Sequence, residues 1–187
     1  MTLDCSNLDL RIEHPYLGAL RARSPRPEDR DALVDFLRKL SAESIYHRFF
    51  RLLRDPREVV DKMLGGKDTL YCIILEGPQG VIACGEAYRT IWPDVAEPAV
   101  TVLDRHQGQG LGTLVVMLLA ACALSRGIRR FRAVVFRENT PIRRITEKLA
   151  PRIVDDYGDS LVVEMDLEES APTIREALAR WGIDADP

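Results

Sequence analysis

The chain has 187 residues, of which 46% are apolar and 29% are charged, and its net charge at neutral pH is −3. This length and balance are typical of a globular protein with a sizeable core, and they exclude a disordered or fibrous chain. A mildly acidic chain is also a poor candidate for a general nucleic-acid binder, which normally presents a basic face. The longest apolar run, Leu114–Leu124, has about half the length of a membrane-spanning helix, so we interpret it as a buried helix and expect no membrane partner.

The four cysteines are Cys5, Cys72, Cys84 and Cys122, and none belongs to a Cys-x-x-Cys pair. Zinc-binding and thioredoxin-like sites are therefore not indicated, and we expect no metal. Three of the four cysteines lie within apolar runs, where cysteine usually acts as a small buried hydrophobe. Because the segment Met1–Arg11 also lacks the apolar core of a signal peptide, the pattern predicts a protein of the reducing cytoplasm.

Secondary structure is indicated by turn residues and by the spacing of apolar residues. Residues 1–17 are expected to form an irregular extension, followed by one domain at residues 18–187 that ends in a helix. Pro27 suits a first helical turn, and apolar residues recur after it at helical spacing. Ser41 suits the N-cap of the next helix. In chain order, the predicted elements are a strand at Ala19–Arg23, helices at Pro27–Leu40, Ala42–Phe50 and Pro56–Leu64, strands at Thr69–Leu75, Val81–Ile91 and Ala99–Leu103, a helix at about Gly110–Arg126, a strand at Phe131–Phe136, a helix at Pro141–Leu149, strands at Arg152–Asp155 and Leu161–Met165, and a helix at Ala171–Trp181.

This order of elements is not a run of strict β-α-β units, so a doubly wound nucleotide-binding fold is disfavoured. It predicts instead an α/β (α+β) fold. The expected core is a mixed, mostly antiparallel central sheet of about seven strands, flanked by helices on both faces.

The most informative segment is the glycine-rich connection from Gln107 to Thr113, between a predicted strand and a predicted helix. Its glycines, Gly108, Gly110 and Gly112, allow a tight turn, and the N–H groups of the helix start are suited to an anion. No lysine precedes Thr113, and the third glycine comes one residue too early for a dinucleotide motif, so ordinary nucleoside triphosphates and dinucleotides are not favoured. Considered alone, the segment also fits a tight connection that binds nothing.

The pattern Gln107-x-x-Gly110-x-Gly112 resembles the Q/R-x-x-G-x-G/A signature of the GNAT family of acyl-CoA-dependent N-acetyltransferases. The sequence Glu-Asn-Thr-Pro at residues 138–141, at the start of a predicted helix, resembles the same family. The resemblance covers about residues 18–166. Within the family, Ser41–Phe50 resembles the "LSPES-Y-RFF" stretch of the Pat-type protein lysine acetyltransferases, and Ala96–Val102 is similar to their "AE-A-V" strand.

The resemblance implies acetyl-CoA as co-substrate and assigns its binding residues. Backbone groups of Val102 and Leu103 would pair with the pantetheine arm, Gln107 would brace the loop, and Asn139 would hold the cofactor from the facing helix. The pyrophosphate would lie on N–H groups of the loop and helix start, which suits the positive end of a helix. Arg143 and Arg144 would either reach the CoA phosphates or lie on a solvated helix face. The loop residues assigned to the pyrophosphate are Gly108, Gln109, Gly110, Leu111, Gly112 and Thr113.

The acceptor amine has to lose a proton, because a lysine with a pKa of about 10.4 is almost wholly charged at neutral pH. A carboxylate is the expected general base. Glu97 is the first candidate, because it precedes the cofactor strand and the Pat-type resemblance places the base there. The alternative interpretation is that Glu97 is an ordinary surface residue. Glu86 on the neighbouring strand is the second candidate. A base role for His106 and a nucleophile role for Cys84 or Cys122 are less favoured.

One departure from the family concerns the leaving thiolate. Many members carry a tyrosine that protonates it about seven residues after the asparagine, where this chain has Thr146, and Ala150-Pro151 replaces the usual Gly-Phe. The sequence therefore predicts an N-acetyltransferase whose acceptor is a protein lysine, monomeric or homodimeric. The alternatives are an enzyme that acetylates small amines and a non-catalytic acyl-CoA-binding module.

Overall fold

The computed structural model describes residue 3 and residues 5–185. Within this part of the chain there are eight strands and six α-helices. The strands are β1 (Asp9–His14), β2 (Gly18–Arg23), β3 (Thr69–Gly77), β4 (Gly80–Arg89), β5 (Val95–Val102), β6 (Arg130–Phe136), β7 (Pro151–Asp156) and β8 (Ser160–Asp166). The helices are α1 (Arg30–Arg38), α2 (Ala42–Phe49), α3 (Pro56–Gly65), α4 (Leu111–Leu124), α5 (Thr140–Thr146) and α6 (Ala171–Ala179).

All eight strands belong to one sheet with the order β1-β2-β3-β4-β5-β6-β8-β7. Every neighbouring pair is antiparallel except β5 and β6, which are parallel. The predicted mixed, mostly antiparallel sheet is confirmed, with eight strands rather than about seven. The helix expected to reach Leu149 ends earlier, at Thr146.

The additional strand is β1, which lies where an irregular extension was expected. It pairs with β2 from Asp9 opposite Arg23 to His14 opposite Gly18. Ile12 and His14 are buried while the residues between and beside them are exposed, so β1 has the alternation of a half-buried strand. The expectation was wrong because this alternation is short and includes a histidine among its buried positions.

The two faces of the sheet carry different helices. Gly85 lies opposite Val100 in the register of β4 and β5, and a Cβ on Gly85 would collide with Val115, so α4 packs against this face. The neighbouring residues point to the other face. There Glu86 is paired with Arg48 of α2, so α2 covers the opposite side of the sheet.

The apolar helix α4 is the centre of the fold. Eleven of its 14 residues are buried. An α-helix that is apolar on every side belongs in the interior of a protein. Within the described residues, no helix combines the length and the apolar character that crossing a membrane requires.

Cys122 in α4 forms a disulfide with Cys5, across a sequence separation of 117 residues. The expectation that Cys122 is only a small buried hydrophobe was therefore wrong. Nothing in the spacing of two distant cysteines indicates this pair, because the fold alone brings the N-terminal segment beside α4. Cys72 and Cys84 are free and buried, with their Sγ atoms 3.5 Å apart.

The feature that positions the site is the separation of β5 from β6. These strands pair only where Val95 lies opposite Arg130 and Ala96 lies opposite Phe131. Beyond this point their edges diverge and leave a cleft in the middle of the sheet. Strand β5 also begins earlier than predicted, so it contains Pro98. Proline has no N–H to donate, and it is tolerated here because the edge of β5 beside it is not paired with another strand.

Candidate active site

The cleft between β5 and β6 has a volume of about 580 Å³. One wall consists of residues 97–102 of β5 and the other of residues 133–136 of β6. Residues of α2 and α5 line its sides, and the glycine loop closes one end. The cleft therefore brings together segments that are far apart in the sequence.

The glycine loop has the backbone that its sequence predicts. Gly108 has φ = 73° and Gly110 has φ = 86°, in the left-handed region that glycine adopts without strain. The first bond of α4 runs from the N–H of Leu114 to the carbonyl of Gly110, at 3.0 Å. The N–H groups of residues 111–113 precede this bond and have no intrahelical partner, so the start of α4 is suited to an anion.

Two side chains hold the loop against α2. Gln107 Nε2 donates to the carbonyl of Val102 and to Ser44 Oγ, each at 3.1 Å. Asp104 accepts from the N–H and Oγ of Ser41, at 3.0 and 2.6 Å, and from Ser44 Oγ at 2.7 Å. Burial alone would raise the pKa of Asp104, but these hydrogen bonds hold it below its usual value. Sequence reasoning identified Ser41 only as a helix cap and missed Ser44 and Asp104.

The backbone of β5 presents alternate residues to the cleft. The N–H of Leu103 donates to Ile82 at 3.0 Å, and the carbonyl of Leu103 accepts from the N–H of His106 at 2.8 Å. Both groups already have a partner within the chain, so the pairing of Leu103 with the pantetheine arm stays a prediction that this arrangement does not favour. Backbone groups alternate between the two edges of a strand, so Val100 and Val102 direct theirs toward the cleft.

The start of α5 forms the opposite side of the site. Asn139 lines the cleft, and its Oδ1 accepts from the N–H of Ile142 at 3.3 Å as the helix cap. The amide nitrogen of Asn139 is then available to a ligand. Arg144 also lines the cleft, whereas Arg143 donates to the carbonyl of Arg137 at 3.1 Å.

The two candidate bases occupy different environments. Glu97 is exposed and lines the cleft. Glu86 is fully buried at 0% exposure, and its Oε2 lies 3.0 Å from Arg48 Nη2. Burial opposes the charge on Arg48, but the Glu86 carboxylate keeps its pKa above the usual value. Glu86 has no exposed surface and is already paired with Arg48, whereas Glu97 is accessible in the cleft, so the arrangement favours Glu97 over Glu86.

Two cleft-lining residues each have a buried polar atom without a hydrogen-bond partner. Among the described residues, Arg48 Nε and Thr101 Oγ1 are buried and lack a hydrogen-bond partner. Both residues line the cleft, and Thr101 is only 5% exposed. Buried polar groups are normally satisfied, so these two atoms are unusual features of the cleft wall.

The less favoured catalytic candidates lie in unsuitable surroundings. Burial and the adjacent Arg105 lower the pKa of His106, whose Nε2 accepts from Arg105 Nε at 3.1 Å. A hydrogen bond to Cys72 and burial raise the pKa of Cys84, which disfavours the thiolate. Thr146 donates its hydroxyl to the carbonyl of Arg143 at 2.8 Å.

One cleft residue that sequence reasoning missed is His47 of α2. Its Nε2 lies 3.4 Å from Glu138 Oε1, and its ring packs against Phe136 at 5.8 Å between centroids. These contacts link α2 to the β6 wall. A histidine in the middle of an amphipathic helix gives no sequence signal that it faces a cleft.

Residues 33–150, which are more than half of the chain, match the model of the Acetyltransferase (GNAT) family. The chain belongs to the GNAT family of acetyltransferases. Its similarity to Pat-type enzymes is also confirmed. Acetyltransferase Pat of Mycolicibacterium smegmatis is 28% identical over 145 residues, which cover 75% of this chain and 44% of that protein. The chain thus spans less than half the length of this curated relative.

Solved structures place the fold in the same family. The GNAT domain of S. lividans PAT is 26% identical with a TM-score of 0.72, over 84% of this chain and 96% of that chain. Mycobacterium smegmatis RimJ in complex with CoA-disulfide is 15% identical with a TM-score of 0.64, over 93% of this chain and 94% of that chain. The second likeness concerns the fold alone.

Proposed function

We propose that this GNAT protein is an acetyl-CoA-dependent N-acetyltransferase that modifies lysine side chains of proteins, with Glu97 as general base. The observation that carries the proposal is the position of Glu97. It lies exposed in the cleft, on the strand that leads directly into the anion-binding glycine loop. One segment of chain thus supplies both the base and the cofactor contacts.

The residues around the cleft fit a CoA thioester. The N–H groups at the start of α4 face its pyrophosphate, where the helix dipole adds a partial positive charge. Val100 offers its backbone groups to the pantetheine arm along β5. Val102 offers its N–H, because its carbonyl already accepts from Gln107 Nε2, and Asn139 offers its amide from the other side. The acetyl thioester supplies the electrophile, and the acceptor amine reaches it from the side of α2.

In the proposed reaction, Glu97 accepts a proton from the acceptor ammonium group, directly or through a water. Reaching the neutral lysine amine at neutral pH costs roughly 4–5 kcal/mol, which a positioned base offsets. The amine nitrogen then bonds to the thioester carbon and the carbon–sulfur bond breaks. The proton that the nitrogen loses on becoming an amide goes to the departing thiolate, so CoA leaves as the thiol. A thiol with a pKa of about 8.5 is a tolerable leaving group, so the engaged hydroxyl of Thr146 is not required as an acid.

A protein lysine is favoured over a small amine for two reasons. The chain is similar to Pat-type acetyltransferases, and helix α2, which carries the Pat-like segment, lies beside the cleft. The carboxylates of Glu43, Glu97 and Glu138 also line the cleft and suit a cationic amine, whether it belongs to a protein or to a small molecule. A cytoplasmic location and a monomeric or homodimeric state stay predictions.

The experiment that tests the acceptor measures CoA-thiol release from acetyl-CoA. Cell extract is divided by size into a protein fraction and a small-molecule filtrate, and the wild type is compared with Glu97→Gln. Glu58→Gln, at an exposed position on α3, is the matched control. We expect release with the protein fraction only, and its loss in Glu97→Gln but not in Glu58→Gln. Release with the filtrate alone would indicate a small-amine acetyltransferase, and release with neither would favour a binding module.

The cofactor loop is tested separately by binding. Gly108 lines the cleft with φ = 73°, and a Cβ placed there has no neighbour within 4 Å. Asn and Asp both tolerate this backbone and differ only in charge. We expect Gly108→Asp to abolish CoA binding in calorimetry, because it places a carboxylate beside the pyrophosphate, and Gly108→Asn to retain most of it. Equal affinity of the two variants would contradict the assignment of the loop.

A further inference from the structure

We propose that His14 is a positioning residue for the cofactor loop, and that it sets the direction of the Gly110 N–H group through the carbonyl of Gln109. The inference rests on the proposed function of the loop, because it concerns how the loop is prepared for the CoA pyrophosphate. His14 lies at the end of β1, 95 residues before Gln109 in sequence. The first strand would thereby act on the cofactor site without touching the cofactor.

The hydrogen bonds of His14 define which ring nitrogen carries the proton. Its Nδ1 lies 3.2 Å from the backbone nitrogens of Tyr16 and Leu17, both of which donate to it. Since Nδ1 is the acceptor of two N–H groups, the neutral ring carries its hydrogen on Nε2. Nε2 lies 3.0 Å from the carbonyl oxygen of Gln109, and therefore donates to it.

The ring of His14 is held from its other side by Trp181. The two rings stack with centroids 5.4 Å apart and an interplanar angle of 23°. Trp181 also touches the loop, because a Cβ placed on Gly110 would lie 3.4 Å from its Cζ2 atom. His14 is only 4% exposed, so the donor is fixed in a buried position rather than free at the surface.

The consequence for the loop follows from peptide geometry. The carbonyl of Gln109 and the N–H of Gly110 belong to one planar trans unit, in which these two bonds point in opposite directions. The bond from His14 holds the carbonyl toward β1, so the N–H of Gly110 points away from β1. In the proposed arrangement this direction leads into the cleft, which Gly110 lines.

A loop fixed in its binding conformation avoids the cost of ordering it when the ligand binds. Losing one such hydrogen bond corresponds to about a three- to tenfold weaker affinity. Glu97 and the acceptor side of the cleft are untouched by this change. We therefore expect a higher Kd and KM for acetyl-CoA, with kcat at saturation close to that of the wild type.

The test compares three substitutions at one position. Gln places an amide nitrogen near the position of the histidine Nε2, Asn places its polar atoms near Nδ1, and Ala removes both. We expect His14→Gln to bind CoA within about twofold of the wild type, and His14→Asn and His14→Ala to bind about three- to tenfold more weakly. Folding of each variant is checked by thermal unfolding.

Trp181→Phe and Trp181→Ala keep the proposal falsifiable if a His14 variant does not fold. We expect Phe to preserve the stacking and the affinity, and Ala to weaken CoA binding as His14→Ala does. Wild-type affinity in folded His14→Ala, or equal weakening in His14→Gln and His14→Ala, would overturn the proposal. If the wild type itself binds no CoA, the proposed function of the loop fails instead.

Discussion

Glu86 and Glu97 lie on adjacent antiparallel strands and point to the same face of the sheet, yet their surroundings are opposite. Glu86 lies opposite Ala99 in the register and is buried against Arg48, whereas Glu97 lies opposite Tyr88 and is exposed in the cleft. A buried charge requires a partner, and the partner removes its value as a base. The pair teaches that position on a strand does not separate a candidate base from a structural carboxylate, whereas solvent access and the presence of a fixed cation do.

The largest expected effect is on the exposed member of the pair. Glu97→Gln should lower kcat by about 10²–10⁴-fold, the usual contribution of a general base. Its free energy of unfolding should stay within about 0.5 kcal/mol of the wild type, because an exposed residue outside the core contributes little to stability. The measurements are steady-state kinetics with a lysine-containing protein acceptor and urea unfolding. A loss of activity that follows a loss of stability would contradict the comparison.

The same substitution at the buried Glu86 should instead lower the stability of the fold. Glu86→Gln leaves Arg48, whose side chain is only 14% exposed, without its counter-charge, which should cost about 3–5 kcal/mol of unfolding free energy. Replacing both residues by apolar ones, as in Arg48→Met with Glu86→Leu, should recover much of this loss because no unpaired charge remains. Urea unfolding of the single and double variants measures both effects. A double variant less stable than Glu86→Gln would show that the pair stabilises the fold through more than its charges.

The sequence predicts the fold and the loop well because both depend on local signals. The three alternate glycines, the helix cap at Ser41 and the start of α5 at Asn139 each have a spacing that physical rules interpret. The difference between Glu86 and Glu97 has no such signal, since both lie in or beside predicted strands and only tertiary packing buries one of them.

Contacts between residues that are far apart in the sequence could not be predicted for the same reason. The disulfide between Cys5 and Cys122 and the bond from His14 to the loop join segments that only the fold brings together. The engagement of both backbone groups of Leu103 depends on the register of β5 against β4. A family pattern assigns a role to a residue from its position in the sequence. The register of the strand decides which edge of the strand its backbone groups face.

Asp104 is the intermediate case between the two glutamates, and it gives the smallest expected effect. It is exposed like Glu97, yet it accepts hydrogen bonds from Ser41 and Ser44 that hold its pKa below the usual value. A carboxylate whose pKa is lower in the folded state stabilises the fold above its unfolded value of about 3.9, and this contribution is lost as the pH falls through the folded value. The wild type should therefore be more stable than Asp104→Asn near neutral pH, and the difference should shrink below about pH 4. Thermal unfolding of both proteins between pH 7 and pH 3 measures it. A constant difference over this range would mean that the serine hydroxyls bind Asp104 equally well in both protonation states, and that its charge has no part in bracing the loop.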